Sequence, residues 1–182
     1  MNVLVLFGSP HAVGSTAKLC DAFLSGLPKN AQVDMVRLFQ LKPTPCNDCG
    51  YCKAADGCSK KDLDEFMQRF FAADLVVVAS PVYLMSFPAP LKALFDRFQR
   101  FYCARFCRGI EGYVQKPKQA VLLLTAGGEA EPGRTVILNQ AKRAFSVMNT
   151  RICGDVTAEK LDTAPLSETT LRRAYQLAER VQ

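Results

Sequence analysis

The strongest constraint on the fold is a repeated switch between short apolar runs and helical periodicity. Val3 to Phe7 is continuously apolar and stops at Gly8-Ser9-Pro10. A run of that kind suits a strand covered on both faces, as in a parallel sheet. Leu19, Phe23 and Leu27 then recur at helical spacing. The alternation continues with strands expected at Val33–Leu38, Leu75–Ala79, Ala120–Leu124 and, more weakly, Arg151–Val156. Between them lie helical faces: Leu63, Phe66, Met67, Phe70 and Phe71; then Leu91, Leu94, Phe95 and Phe98, with Pro90 near the start; then Ile137, Ala141, Ala144, Phe145 and Met148. Ser59-Lys60-Lys61-Asp62 has the look of a capping box for the first of these three. Ser167 stands as the cap of a last helix bearing Leu171, Ala174, Ala178 and Val181. Five strand–helix units in strict alternation imply a doubly wound five-stranded parallel sheet with helices on both faces. Ligands of such sheets bind beyond the carboxyl ends of the strands, so the loops after strands one, three and four are expected to carry the chemistry.

Composition narrows the class further. At 182 residues, 49% hydrophobic and 22% charged, the chain reads as one globular domain over 1–182, with a cysteine-rich insertion at about 43–60. It does not match a disordered tail, a collagen-like fibre or a coiled coil. No apolar run approaches the ~18 residues a membrane helix needs. The start, Met1 to Phe7, has no basic lead, and a cytoplasmic location is expected. The net charge of +6 is concentrated locally: Lys92, Arg97, Arg100, Arg105, Arg108, Lys116 and Lys118 face only Asp96 and Glu111 in that stretch. Such a stretch reads either as a solvated helix face or as an attractor of phosphates and acidic proteins, with Arg97, Arg100 and Arg108 foremost. No nucleic-acid-binding pattern accompanies it, and nucleic acid is not an expected partner.

The first loop, Gly8-Ser9-Pro10-His11-Ala12-Val13-Gly14-Ser15-Thr16-Ala17, leads into a helix start. Glycines allow close backbone approach, hydroxyls supply donors, and the helix start supplies free N–H groups, a combination suited to a phosphate. It lacks both the dinucleotide GxGxxG spacing and the Lys-Ser/Thr ending of a nucleoside-triphosphate loop, so a single terminal phosphate fits best. His11, the only histidine, reads as a phosphate contact or as an exposed loop residue. The second loop, Ser80 to Pro90, is stiffened by three prolines and carries apolar and aromatic residues able to line a flat ring. The third, Thr125-Ala126-Gly127-Gly128-Glu129, is built of small residues that leave room beside it.

The eight cysteines are the anomaly. Cys46, Cys49, Cys52 and Cys58 follow C-x2-C-x2-C-x5-C, compact enough to wrap one cubane, as bacterial ferredoxin segments do. A zinc site and a metal-free thiol cluster are the alternatives. Gly50 and Gly57 would free backbone N–H groups to approach sulfide. Cys103 and Cys107, one helical turn apart, read as packing residues, as do Cys20 and Cys153.

Taken in order, Gly8-Ser9-Pro10…Gly14-Ser15-Thr16, Ser80-Pro81-Val82-Tyr83…Pro88-Ala89…Leu91-Lys92 and the four-cysteine segment resemble the flavodoxin-like NADPH-dependent FMN reductases, and most of all the iron–sulfur flavoproteins. The resemblance covers nearly the whole chain. It implies a flavodoxin-like fold and FMN, with the phosphate at Ser9, His11, Ser15, Thr16 and Ala17. It implies the ring against Pro81, Val82, Tyr83 and Ser86, with Thr125, Gly127 and Gly128 beside it. It implies a [4Fe–4S] cluster on Cys46, Cys49, Cys52 and Cys58, NAD(P)H as co-substrate, and a homodimer or homotetramer. The expected activity is electron transfer between NAD(P)H, FMN and the cluster, with a small molecule or a ferredoxin-like protein as donor or acceptor. A cluster-free NAD(P)H:quinone or FMN reductase and a non-enzymatic electron carrier or thiol redox sensor are the alternatives. The sequence departs from the family at position 11, where another basic residue is frequent, and over Phe101–Gly112, which carries two extra cysteines.

Overall fold

The structure is a computed structural model describing residues 1–181. Its strands are β1 (Asn2–Phe7), β2 (Gln32–Arg37), β3 (Leu75–Pro81), β4 (Lys118–Thr125) and β5 (Thr150–Ala158). They pair in parallel in the order β2-β1-β3-β4-β5, the flavodoxin arrangement expected from the alternation. The helices are α1 (Ser15–Ser25), α2 (Leu38–Leu41), α3 (Tyr51–Ala54), α4 (Asp64–Ala72), α5 (Ala89–Arg97), α6 (Gln99–Phe106), α7 (Gly133–Ser146) and α8 (Glu168–Arg180).

Alternate residues of the central strands feed two cores. Val3, Val5, Phe7, Val77 and Val121 pack against Leu19 and Phe23 of α1 and Ala174 and Ala178 of α8. Leu4, Leu6, Val76, Val78 and Leu122 pack against Phe66 and Phe70 of α4, Leu94 and Phe95 of α5, and Ile137 and Phe145 of α7. Both faces of β1, β3 and β4 are therefore dry, which is why their sequences are continuously apolar instead of alternating. Pro90 sits in the first turn of α5, and the Ser167 hydroxyl accepts the Thr170 N–H at the start of α8.

Four expectations need correction. Ser59 caps no helix: α4 begins at Asp64 behind Leu63, without a side-chain cap, and Asp64 and Glu65 supply the negative charge its first turn favours. Cys107 is exposed at the end of α6, and Cys153, on edge strand β5, is only partly buried; Cys20 and Cys103 alone among the four are core. Leu91, Leu94 and Phe95 lie on α5 as expected, but Phe98 is its C-cap, where the chain turns directly into α6, which buries Phe101. The basic stretch is not a free cationic face. Arg97 is 3% exposed and bonds Asp62; Arg100 and Arg108 face Asp64 and Asp56; Lys92 and Lys116 pair with Asp96 and Asp74. Lys118 donates to the Phe71 carbonyl at 3.0 Å. All but one of the neutralising carboxylates lie outside the stretch, where a window count of charge does not see them.

Candidate functional site

The loops after β1, β3 and β4 meet at the carboxyl edge of the sheet, on either side of the switch between β1 and β3. Gly8 donates its N–H to the Ala79 carbonyl at 2.8 Å, which presses the first loop onto β3. A Cβ on Gly8 would stand 2.8 Å from Leu91 Cδ2 and 3.2 Å from Ser80 Oγ, so any larger residue here would have to displace the Leu91 side chain. The first helical bond of α1 runs from Lys18 N–H to the Gly14 carbonyl, and Gly14 offers no side-chain cap. The N–H groups of Ser15, Thr16 and Ala17 are thus unspent within the helix. The Ser9 hydroxyl accepts the His11 N–H at 3.2 Å, and the His11 side chain is exposed.

Thr16 is buried, and its hydroxyl shares a 2.7 Å hydrogen bond with the hydroxyl of Thr125. This bond ties the first loop to the third. Val82 N–H donates to the Thr125 carbonyl at 2.8 Å, tying in the second. Beyond it, Tyr83 and Ser86 exchange backbone bonds of 2.9 Å around Leu84 and Met85, both at positive φ. A two-residue turn of that hand accepts glycine or asparagine most readily, and two bulky apolar residues there are strained. Leu84 is 98% exposed. The turn is braced from behind, since a Cβ on Gly133 would meet Val82 and Met85. Ser9, Ser15, Thr16, Ala17, Pro81, Val82, Tyr83, Ser86, Thr125, Gly127 and Gly128 therefore all lie on strand ends, loops or helix starts at one edge of the sheet.

The loop after β5 joins this edge and was absent from the sequence reading. Leu161, Asp162 and Lys160 donate their N–H groups to the carbonyls of Ala126, Gly127 and Gly128 at 3.2, 3.0 and 2.7 Å. Glu159 accepts the Ala130 N–H at 3.0 Å. A fifth strand followed by a loop at the same edge was the available signal.

The cysteine segment stands elsewhere. It is fastened at the far end of α5, about 12 Å of helical rise from Ala89. Arg97 donates to the Thr44 carbonyl, the Lys60 carbonyl and Asp62, each at 2.8 Å. Arg108 and Tyr113 hold Asp56 at 3.1 and 3.0 Å. The Nε atoms of Arg97, Arg100 and Arg108 are buried without a partner. Cys46 and Cys49 are exposed, and Cys52 and Cys58 are half-buried. The Ser59 hydroxyl, 3.2 Å from Cys49 Sγ, and the Tyr51 N–H hold that thiol below its ordinary value. Burial, with the thiols of Cys52 and Cys107 alongside, pushes Cys103 up to about 12. Among the described residues no three His, Cys, Asp or Glu side chains converge as a metal site.

Comparison with known proteins bears on both regions. The family model for NADPH-dependent FMN reductase matches residues 1–160. An iron–sulfur flavoprotein of Methanosarcina thermophila is 36% identical over 99 residues, covering 53% of this chain and 52% of the relative. The chain spans about half the length of the curated relatives it matches. In three dimensions it resembles an azoreductase from Bacillus anthracis (TM-score 0.72, 19% identity, 98% and 99% of the two chains). It also resembles an NAD(P)H:quinone oxidoreductase from Methanothermobacter marburgensis (TM-score 0.65, 19% identity, 99% and 93%). No helix of the described residues is long and apolar enough to cross a membrane.

Proposed function

Because the chain belongs to the NADPH-dependent FMN reductase family, we propose that it is an FMN-dependent NAD(P)H oxidoreductase of the iron–sulfur flavoprotein kind. The observation that carries this is the junction of an uncapped α1 with the β4 loop through the Thr16–Thr125 hydroxyl pair. Three unspent N–H groups and the positive end of a helix suit the terminal phosphate of FMN. Ser9 and Ser15 add hydroxyl donors there. Pro81, Val82, Tyr83 and Ser86 would lie along the ring, with Thr125, Gly127 and Gly128 at its edge. When bound, FMN accepts hydride from NAD(P)H and releases electrons singly or in pairs. The chain's own work is to hold the phosphate, to fix the three loops together, and to keep water off the ring with the Leu84–Met85 turn.

The donors of Cys46, Cys49, Cys52 and Cys58 are those of a [4Fe–4S] cluster, which would accept electrons one at a time. Support comes from the spacing and from the names of the relatives. A cluster-free quinone reductase is the second reading, favoured by the lack of a converged ligand group among the described residues.

Anaerobic purification followed by FMN, iron, zinc and acid-labile sulfide analysis tests the proposal. The expected result is one FMN with about four iron and four sulfide per chain. FMN without iron, even after reconstitution, moves the assignment to the two-electron reductase. FMN without NAD(P)H oxidation leaves a carrier or sensor. A chain that takes up no FMN on titration overturns the reading.

A further inference from the structure

The loop after β5 lays a carboxylate against the small-residue loop after β4. Asp162 donates its backbone N–H to the Gly127 carbonyl at 3.0 Å, which fixes where its side chain begins. The side chain fills the space a Cβ on Gly127 would need: that atom would overlap the carboxylate, standing 2.6 Å from Oδ1. Gly127 is thus the one residue between Asp162 and whatever lies on the other side of the loop. The neighbouring charges are already committed. Glu129 pairs with Lys160 at 3.4 Å, and Glu159 accepts the Ala130 N–H. Asp162 is exposed, and its carboxylate has no ion-pair or side-chain hydrogen-bond partner among the described residues.

We propose that Asp162 sets the redox balance of the flavin by disfavouring its reduced form. This rests on the reading that FMN lies against Thr125, Gly127 and Gly128. Hydride transfer brings two electrons and one proton, so the flavin gains one negative charge while NAD(P)H becomes NAD(P)+. A carboxylate lying against Gly127 opposes that gain more than it opposes binding of the oxidised form. The consequence is a lower reduction potential and a flavin that donates electrons more readily, as a low-potential acceptor requires. Asp162 acts across Gly127 and is a positioning charge, not a group that touches the reacting atoms.

The test is a pair of anaerobic titrations of flavin-depleted protein, one with oxidised FMN and one with FMN reduced by dithionite. The ratio of the two dissociation constants reports the redox balance independently of turnover. In Asp162→Asn, which keeps the size and the backbone N–H, binding of reduced FMN should gain roughly tenfold over oxidised FMN. Asp162→Glu, which keeps the charge, should stay within about twofold of the unaltered protein. Asp162→Ser should follow Asp162→Asn, and it stands in if the asparagine variant folds poorly. An unchanged ratio in both neutral variants, with FMN still bound, overturns this inference and leaves the FMN reading intact. Failure of the unaltered chain to bind FMN overturns both.

Discussion

The sheet edge proposed to hold FMN (the flavin edge of that proposal) and the cysteine segment are both built from loops, yet they hold their shape by opposite means. At the proposed flavin edge most of the bonds are between backbone groups and hydroxyls: Gly8 to Ala79, Val82 to Thr125, Thr16 to Thr125, and the three amides of 160–162 to the β4 loop, with the Glu159 carboxylate and the Glu129–Lys160 pair added where the β4 and β5 loops meet. Among the described residues no ion pair ties the first loop to the second or third. At the cysteine segment there is little secondary structure, and the shape depends on the guanidinium groups of Arg97, in α5, and Arg108, just after α6, reaching carbonyls and carboxylates. The first design leaves donors unspent for a ligand and depends on the absence of side chains. The second depends on a few long side chains whose loss leaves charge stranded. Substitution should therefore cost binding at one region and folding at the other.

The largest effect on stability is expected at Arg97. Arg97→Met strips partners from Asp62 and from the carbonyls of Thr44 and Lys60. Removing a buried guanidinium that serves two carbonyls and a half-buried carboxylate costs about 2 kcal/mol, read as a fall in the unfolding free energy in urea. A loss below about 1 kcal/mol would mean that the segment is held by something other than this brace. The largest effect on binding is expected of Ser15→Asp at the flavin edge. A carboxylate against the phosphate should weaken FMN binding by about 100-fold or more, roughly 3 kcal/mol, measured by fluorescence titration. Its thermal midpoint should not fall, because an acidic residue in the first turn of α1 is favourable to the helix. If the midpoint drops while FMN stays bound, the contrast between the two regions fails.

The sequence carried the fold further than it carried the site. Continuous runs such as Leu75–Ala79 are diagnostic because a strand dry on both faces has no position for a polar residue. The loops proposed to hold FMN stood out for a related reason: glycines at 8, 14, 127 and 128 mark turns and close backbone approaches. What escaped depends on contacts between distant segments. Arg97 and Asp62 are 35 residues apart, and no local pattern shows that a run of arginines is internal. Asp162 lies in an unremarkable polar loop and matters only because Gly127 is folded beside it. Ser59 looked like a helix cap because spacing alone cannot tell a cap from a hydroxyl that turns toward Cys49 instead. Cys107 has helical spacing to Cys103 but falls where α6 ends, so the periodicity predicts burial that the helix no longer provides.

The smallest effect separates the two regions by acid. Partial burial acts to raise the Asp62 carboxyl, and the Thr44 N–H and the Arg97 guanidinium outweigh it, leaving it below its ordinary 3.8. A carboxylate held low in the folded state contributes stability that is fully present above the unfolded value. As pH falls through 3.8, the unfolded chain takes up a proton that the folded chain still refuses, and that stability drains away until the folded group protonates as well. Asp34 and Asp74 are also held low, by Arg69 and by Lys116, so the whole protein loses stability in acid. The share belonging to the brace is the difference between the unaltered protein and Asp62→Asn, whose amide does not titrate. Urea midpoints from about pH 5 to pH 3 should fall more steeply for the unaltered protein, so that the gap between the two narrows with acid. Parallel slopes would show that Asp62 is not the carboxylate that ties the segment to Arg97. A Thr125→Val variant, which removes a hydroxyl from the flavin edge, should run parallel to the unaltered protein throughout, because neither Thr16 nor Thr125 gains or loses a proton in that range.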